Sequence, residues 1–229
     1  MSTVTFTKRR QLDYRANESY KSLGTNIQFC GDDIKVIAFT SCTPNEGKSS
    51  VSFNLAASFA EIGKKVIMVD ADLRKSVLAG RYKVGEVEYG LTHYLSGQKS
   101  INDVLKKTNI ENMDIIFSGS YCPNPAELLN HKRFEELLTK LKEEYDYVLV
   151  DTPPLGVVID GAIIAKKVDG AVIVIEANAI SHRFVRGVKE QLEKAGCKVL
   201  GAVLNKVDFE KNSYYGRYYG HYGDYGKEE

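Results

Sequence analysis

The sequence predicts an α/β fold, a mostly parallel, doubly wound sheet with helices on both faces. Three observations carry that reading. Apolar runs of strand length recur at Lys35–Thr40, Val66–Val69, Tyr147–Val150, Gly170–Ile175 and Val199–Leu204. Stretches of helical period separate them, at Ser49–Ile62, Lys132–Glu144, Asp160–Lys167 and Ser181–Ala195, and buried strands alternating with amphipathic helices are the pattern of a parallel sheet covered on both sides. Three of the runs also stop abruptly at polar residues, in TPNEGKSS, DADLR and DTPP, and doubly wound sheets hold their ligands at the carboxyl ends of strands.

At 229 residues the chain has room for a substantial core. It divides into a flexible arm over residues 1–12, one domain over 13–209 and a tail over 210–229. A net charge of +1 argues against nucleic acid or an anionic membrane as the main partner. Cys30, Cys42, Cys122 and Cys197 are scattered, without CxxC spacing, and read as reduced thiols of a cytosolic protein. No apolar run has the length of a membrane span, and the polar start MSTVTFTKRRQ is no signal peptide. The expectation is a cytoplasmic protein that reaches a membrane only through a partner.

Taken in order, Asp13–Phe29 reads as a helix with Asp13 as N-cap, Tyr20, Leu23 and Ile27 on one face, and a weak point at Gly24. The first strand, a loop and the helix Ser49–Ile62 follow, with Val51, Leu55, Phe59 and Ile62 aligned and Gly63 as the stop. Residues 75–113 carry Gly85, Gly90 and Gly97 between short helical pieces, and His93 has no evident partner there. Strand Ile115–Phe117 leads through a turn-rich connection to a helix near Pro125. Phe134, Leu137, Leu138 and Leu141 keep the helical period of the next element.

The loop between the first strand and its helix carries the chemistry. Thr43, Pro44, Asn45, Glu46, Gly47, Lys48, Ser49 and Ser50 form a phosphate-binding loop, although Cys42 stands where the strict G-x-x-x-x-G-K-[ST] pattern has glycine. Backbone N–H groups must face phosphate oxygens, and Gly47 allows close approach. Lys48 brings charge to the β- and γ-phosphates and Ser49 a hydroxyl to Mg2+. Glu46 sets a carboxylate close to the phosphates. Asp70, Asp72 and Arg74 follow the second strand directly, and Asp151 ends a later one, as a Mg2+-associated carboxylate does in P-loop nucleoside triphosphatases. The segment Asn205-Lys206-Val207-Asp208 matches the guanine-reading NKxD pattern, yet it follows the last strand and no GTPase switch segment accompanies it. Asn205 is instead a candidate contact to adenine.

The last twenty residues change character. Tyr214, Tyr215, Tyr218, Tyr219, Tyr222 and Tyr225 are six of the chain's 14 tyrosines, and they alternate with glycine and charge. The composition is that of a disordered segment. Each tyrosine has an accessible hydroxyl in such a segment, and each phosphorylation would add about −1.5 to −2 charges.

TSCTPNEGKSS, VIMVDADLR, YVLVDTPP, YCPNPAELL, GAVLNKVD and the tyrosine cluster together resemble the bacterial tyrosine autokinases of capsular and exopolysaccharide synthesis, over nearly the whole chain. The resemblance implies a P-loop fold related to the MinD/ParA ATPases. It implies ATP and Mg2+ as cofactors, with Lys48 and residues 43–50 on the phosphates and Ser49, Asp70, Asp72 and Asp151 around the metal. Asp70 and Asp72 would share metal positioning and activation of the tyrosine hydroxyl, with Arg74 completing that motif. The six tail tyrosines would be phosphorylated in trans by a neighbouring copy. It further implies a separate transmembrane activator, a polysaccharide chain-length regulator whose cytoplasmic tail recruits the kinase. The family's E-x-x-R-x-x-R assembly motif is reduced here to Glu18, Lys21 and Gly24, which predicts weaker or activator-dependent assembly. The alternative is a MinD/ParA-like ATPase switch that modifies no tyrosine.

Overall fold

The structure is a computed structural model that describes residues 3–8 and 11–208. The tyrosine-rich segment and its six tyrosines lie outside the described residues. Among the described residues one sheet is formed from β1 (Thr3–Val4), β2 (Val36–Ser41), β3 (Val66–Asp70), β4 (Leu105–Thr108), β5 (Met113–Ile116), β6 (Tyr147–Asp151), β7 (Gly170–Glu176) and β8 (Val199–Asn205). Their order is β1-β4-β5-β3-β6-β2-β7-β8. All neighbours are parallel except β4 and β5. The expected doubly wound architecture is therefore present.

The central strands β2, β3, β6 and β7 are buried on both sides because helices cover both faces. Along β2, Val36 and Ala38 point into one core while Ile37 and Phe39 point into the other. Helices α1 (Tyr14–Gln28), α2 (Lys48–Glu61) and α3 (Leu78–Tyr82) close one side through Ile27, Leu55, Phe59 and Leu78. The opposite side is closed by α4 (Leu91–Leu95), α5 (Ile101–Val104), α6 (Pro125–Asn130), α7 (Lys132–Glu144), α8 (Asp160–Ala165) and α9 (His182–Lys194). Complete burial of a Leu or Phe stabilises by about 1.5–3 kcal/mol, so two such cores suffice to hold the sheet rigid beneath its loops.

Three expectations need correction. Residues 3–8 are not a free arm: β1 pairs with β4, and buried Phe6 packs edge-on against Phe53 of α2 at 4.8 Å between ring centroids. Helix α1 is not broken at Gly24 but runs through it, because that glycine lies against the Phe59 ring, where a Cβ would sit 3.2 Å away. Its N-cap is Asp13 as expected, whose carboxylate accepts the Ala16 N–H at 2.8 Å. Finally, His93 is not without partners: Nδ1 accepts the Gly90 N–H at 3.2 Å and Nε2 meets the Ser120 hydroxyl at 3.3 Å, tying α4 to the loop after β5.

Candidate functional site

The three motifs converge because β3, β6 and β2 are neighbours and end together. Asp70 and Asp151 are paired in register, and the loop after β2 rises beside them. In that loop the left-handed conformations fall at Asn45 (φ 69°) and Gly47 (φ 95°). Cys42 does not adopt one, which explains why the usual glycine is dispensable there. The Glu46 carboxylate does not face the phosphate position. It folds back inside the loop and accepts the Cys42 N–H at 2.8 Å and the Thr43 hydroxyl at 3.1 Å, so it braces the turn. Helix α2 begins immediately after Gly47, and no side chain caps its N-terminus, which leaves that end open to an anion.

Lys48 Nζ lies 3.3 Å from Asp72 Oδ2, 3.6 Å from Asp151 Oδ1 and 3.3 Å from Ser49 Oγ. Burial pulls the Lys48 pKa down, but the combined charges of Asp151, Asp72 and Asp70 outweigh it, and the group stays a cation. Asp70 is fully buried, and burial followed by the nearby Asp151 charge pushes its pKa up to about 7. Burial raises Asp151 as well, opposed by Lys48 and Ser49. The Ser76 hydroxyl donates to Asp70 Oδ2. Asp70 Oδ1 and Asp151 Oδ1 are both buried without a hydrogen-bond partner. Such oxygens are costly in a folded protein; Lys48 partly compensates Asp151 Oδ1 from 3.6 Å, and a cation with its water shell would satisfy Asp70 Oδ1.

That observation is the test of fit for Mg2+. Among the described residues no three His, Cys, Asp or Glu side chains enclose a metal by themselves. A Mg2+ ion here would rely on Ser49, phosphate oxygens and water as well as the carboxylates, which is its habit at phosphate sites. The residues fit the ion on those terms.

Arg74 is turned away from the centre. Its guanidinium grips buried Asp160 at the start of α8 through two hydrogen bonds of 2.7 and 2.9 Å. It fastens the loop carrying Asp72 to the segment following Asp151. Asn205, at the end of β8, donates from Nδ2 to the Glu46 carbonyl at 2.9 Å. Its neighbour Lys206 donates to the Asn45 carbonyl at 2.7 Å and pairs with Glu176 at 2.8 Å. Arg81 of α3 reaches the Ser50 hydroxyl. Sequence reasoning missed Ser76, Arg81, Asp160, Glu176 and Lys206. Only Lys206 stood in a recognisable motif, and it was set aside with it.

Residues 34–200 match the family model described as an AAA domain. The tyrosine-protein kinase CpsD of Streptococcus pneumoniae is 43% identical over 220 residues, covering 96% of this chain and 96% of the relative. The kinase domain of the Escherichia coli tyrosine kinase ETK superposes with a TM-score of 0.81 at 31% identity, covering 90% of this chain and 85% of that one. The septum site-determining protein MinD of Pyrococcus horikoshii, in complex with Mg-ADP, gives a TM-score of 0.65 at 27% identity, covering 75% of this chain and 70% of that one. A nucleotide-binding P-loop fold, near identity in length with a curated kinase and the shared sheet lead to one conclusion: the chain belongs to the bacterial tyrosine-protein kinases.

Proposed function

We propose that the chain is an autokinase that transfers the γ-phosphate of ATP to Tyr214, Tyr215, Tyr218, Tyr219, Tyr222 and Tyr225 of a neighbouring copy, and so regulates capsular or exopolysaccharide synthesis and export. The observation that carries it is the meeting of Lys48, Ser49, Asp70, Asp72 and Asp151 at one end of the sheet, with Asp70 Oδ1 buried and without a hydrogen-bond partner. Thr43, Pro44, Asn45, Glu46, Gly47 and Ser50 shape the loop around the phosphates. Lys48 exchanges its carboxylate partners for phosphate oxygens and stabilises charge on the transferring group. Ser49, with Asp70, Asp72 and Asp151, would hold Mg2+, which would supply charge neutralisation on the phosphates. Asp72 is less enclosed than Asp70, so it is the carboxylate an incoming tyrosine hydroxyl can reach, and it accepts the phenolic proton. Asn205 keeps one amide hydrogen on the loop and offers the other, with Oδ1, to the N6/N7 edge of adenine.

The partners in this reading are other copies of the chain and a transmembrane chain-length regulator that activates it and brings it to the membrane. No helix among the described residues is long and apolar enough to cross a membrane. Lys21 pairs with Glu18 of its own helix at 2.7 Å and Gly24 is buried against Phe59, which supports assembly that depends on the activator. The likeness to MinD favours a second reading, an ATPase switch without tyrosine transfer. Mass spectrometry of the C-terminal peptide after incubation with Mg-ATP decides between them, using wild type and Lys48→Met, with and without the activator's cytoplasmic segment. Phosphate on residues 214–225 in wild type alone is the expected result. ATP consumption with an unmodified tail would establish the switch.

A further inference from the structure

We infer that Lys206 is a positioning residue for phosphate binding: with Asn205 it fastens the phosphate loop by its outward carbonyls and thereby aims the loop's N–H groups inward. The inference rests on the reading of this loop as a phosphate site. In a trans peptide the C=O and the following N–H point in opposite directions. The Asn45 carbonyl, held by Lys206 at 2.7 Å, shares its peptide plane with the Glu46 N–H. The Glu46 carbonyl, held by Asn205 at 2.9 Å, shares its plane with the Gly47 N–H. Two consecutive donors are therefore oriented from behind by side chains at the end of β8 and just beyond it.

Three further features point the same way. Asn45 sits at φ 69°, a left-handed conformation uncommon for a residue with a side chain, which persists where surrounding contacts over-determine it. Lys206 is itself held in place by Glu176 of β7, so its ammonium group is anchored on two sides. A Cβ on Gly47 would collide with Asn205 Nδ2, so the loop and the end of β8 are packed in direct contact. The cation at the Asn45 carbonyl also polarises that peptide and strengthens the Glu46 N–H as a donor to an anion. None of this involves the base, so the effect belongs to the phosphates.

The test is calorimetric titration of the full chain with Mg-ATP, Mg-GTP and inorganic tripolyphosphate, for wild type, Lys206→Met and Lys206→Arg, with melting curves for each. Lys206→Met is expected to weaken all three by a common factor of about tenfold, the scale of a hydrogen bond from a charged group, while Lys206→Arg recovers most of it. Glu176→Gln, which releases one of the two anchors, should weaken all three ligands in the same direction by a smaller factor, and it serves if Lys206→Met folds poorly. Unchanged affinity in Lys206→Met overturns the inference, as does a loss confined to one nucleotide, which would make Lys206 a base reader. So does a melting-point drop with no common loss of affinity in the folded protein. Wild type binding none of the three would overturn the phosphate site as well, which separates the two failures.

Discussion

The two ends of the sheet treat their carboxylates in opposite ways. At the amino ends of the strands, Asp169 accepts the N–H groups of Lys35 and Val36 at 3.0 and 2.8 Å and pairs with Lys142. Asp146 accepts the Lys65 N–H at 2.8 Å, and Asp114 takes the Tyr145 hydroxyl at 2.6 Å and Lys107 at 2.7 Å. Each is satisfied and holds one element to another. At the carboxyl ends, Asp70 and Asp151 are buried more deeply and each leaves an oxygen without a hydrogen bond. The difference separates carboxylates that serve the fold from carboxylates that the fold tolerates for another purpose.

Removing the cation from the carboxyl-end cluster is the severest way to break that contrast. Lys48→Met should lower tail phosphorylation at least about 10²-fold, the scale of losing a preorganised charge on the transferring group, read as phosphotyrosine by mass spectrometry. Exchanging one carboxylate at each end sharpens it. Asp70→Asn should abolish most activity yet raise the melting temperature, by about 2–4 °C per kcal/mol regained. Asp114→Ala should instead cost roughly 2–3 kcal/mol of stability, because Tyr145 and Lys107 lose their acceptor, while the folded fraction keeps its activity. Equal melting shifts of the same sign would refute the distinction. The Asp70 effect also has a pH signature. Its folded pKa is raised to about 7, so ionisation is disfavoured only in the folded state. The penalty is absent below about pH 4, the unfolded carboxylate range, and grows as pH rises towards 7. The Asp70→Asn gain in a urea titration should therefore be larger at pH 8 than at pH 5.

Arg74→Lys probes the seam between the two kinds of role. The bidentate grip on Asp160 needs the planar fork, so a loss of activity well below that of Lys48→Met is expected in the same assay. The smallest effect concerns Cys42. Burial and then the Glu46 charge push its thiol up to about 11, so only about one in a thousand is thiolate at pH 8. Iodoacetamide should leave Cys42 unlabelled, with or without nucleotide, in a peptide map.

Most of the sheet was legible in the sequence because its strands are continuous apolar runs, and the central motifs because each follows such a run directly. The pieces that were not legible fail for physical reasons. Strand β1 is two residues long and β4 reads LKKT, too short and too polar to carry a period. Gly24 looked like a weak point by propensity, but tertiary packing against Phe59 overrides a cost of about 1 kcal/mol. Glu46 looked misplaced beside phosphates because a loop's sequence does not reveal that a side chain folds back on its own backbone. Asp160 and Glu176 act on residues 86 and 30 positions away, distances over which local pattern carries no information.

The pairing of Lys48 with Asp72 and Asp151 gives the site the logic of an AND gate. A nucleotide arriving alone must take Lys48 from those carboxylates and leave two anions facing each other. A metal arriving alone must compete with Lys48 for them. With both bound, as proposed, Lys48 would turn to phosphate and the carboxylates would hold the metal, so each charge would have a new partner. The enzyme would then respond to the joint presence of two inputs far more steeply than to either one.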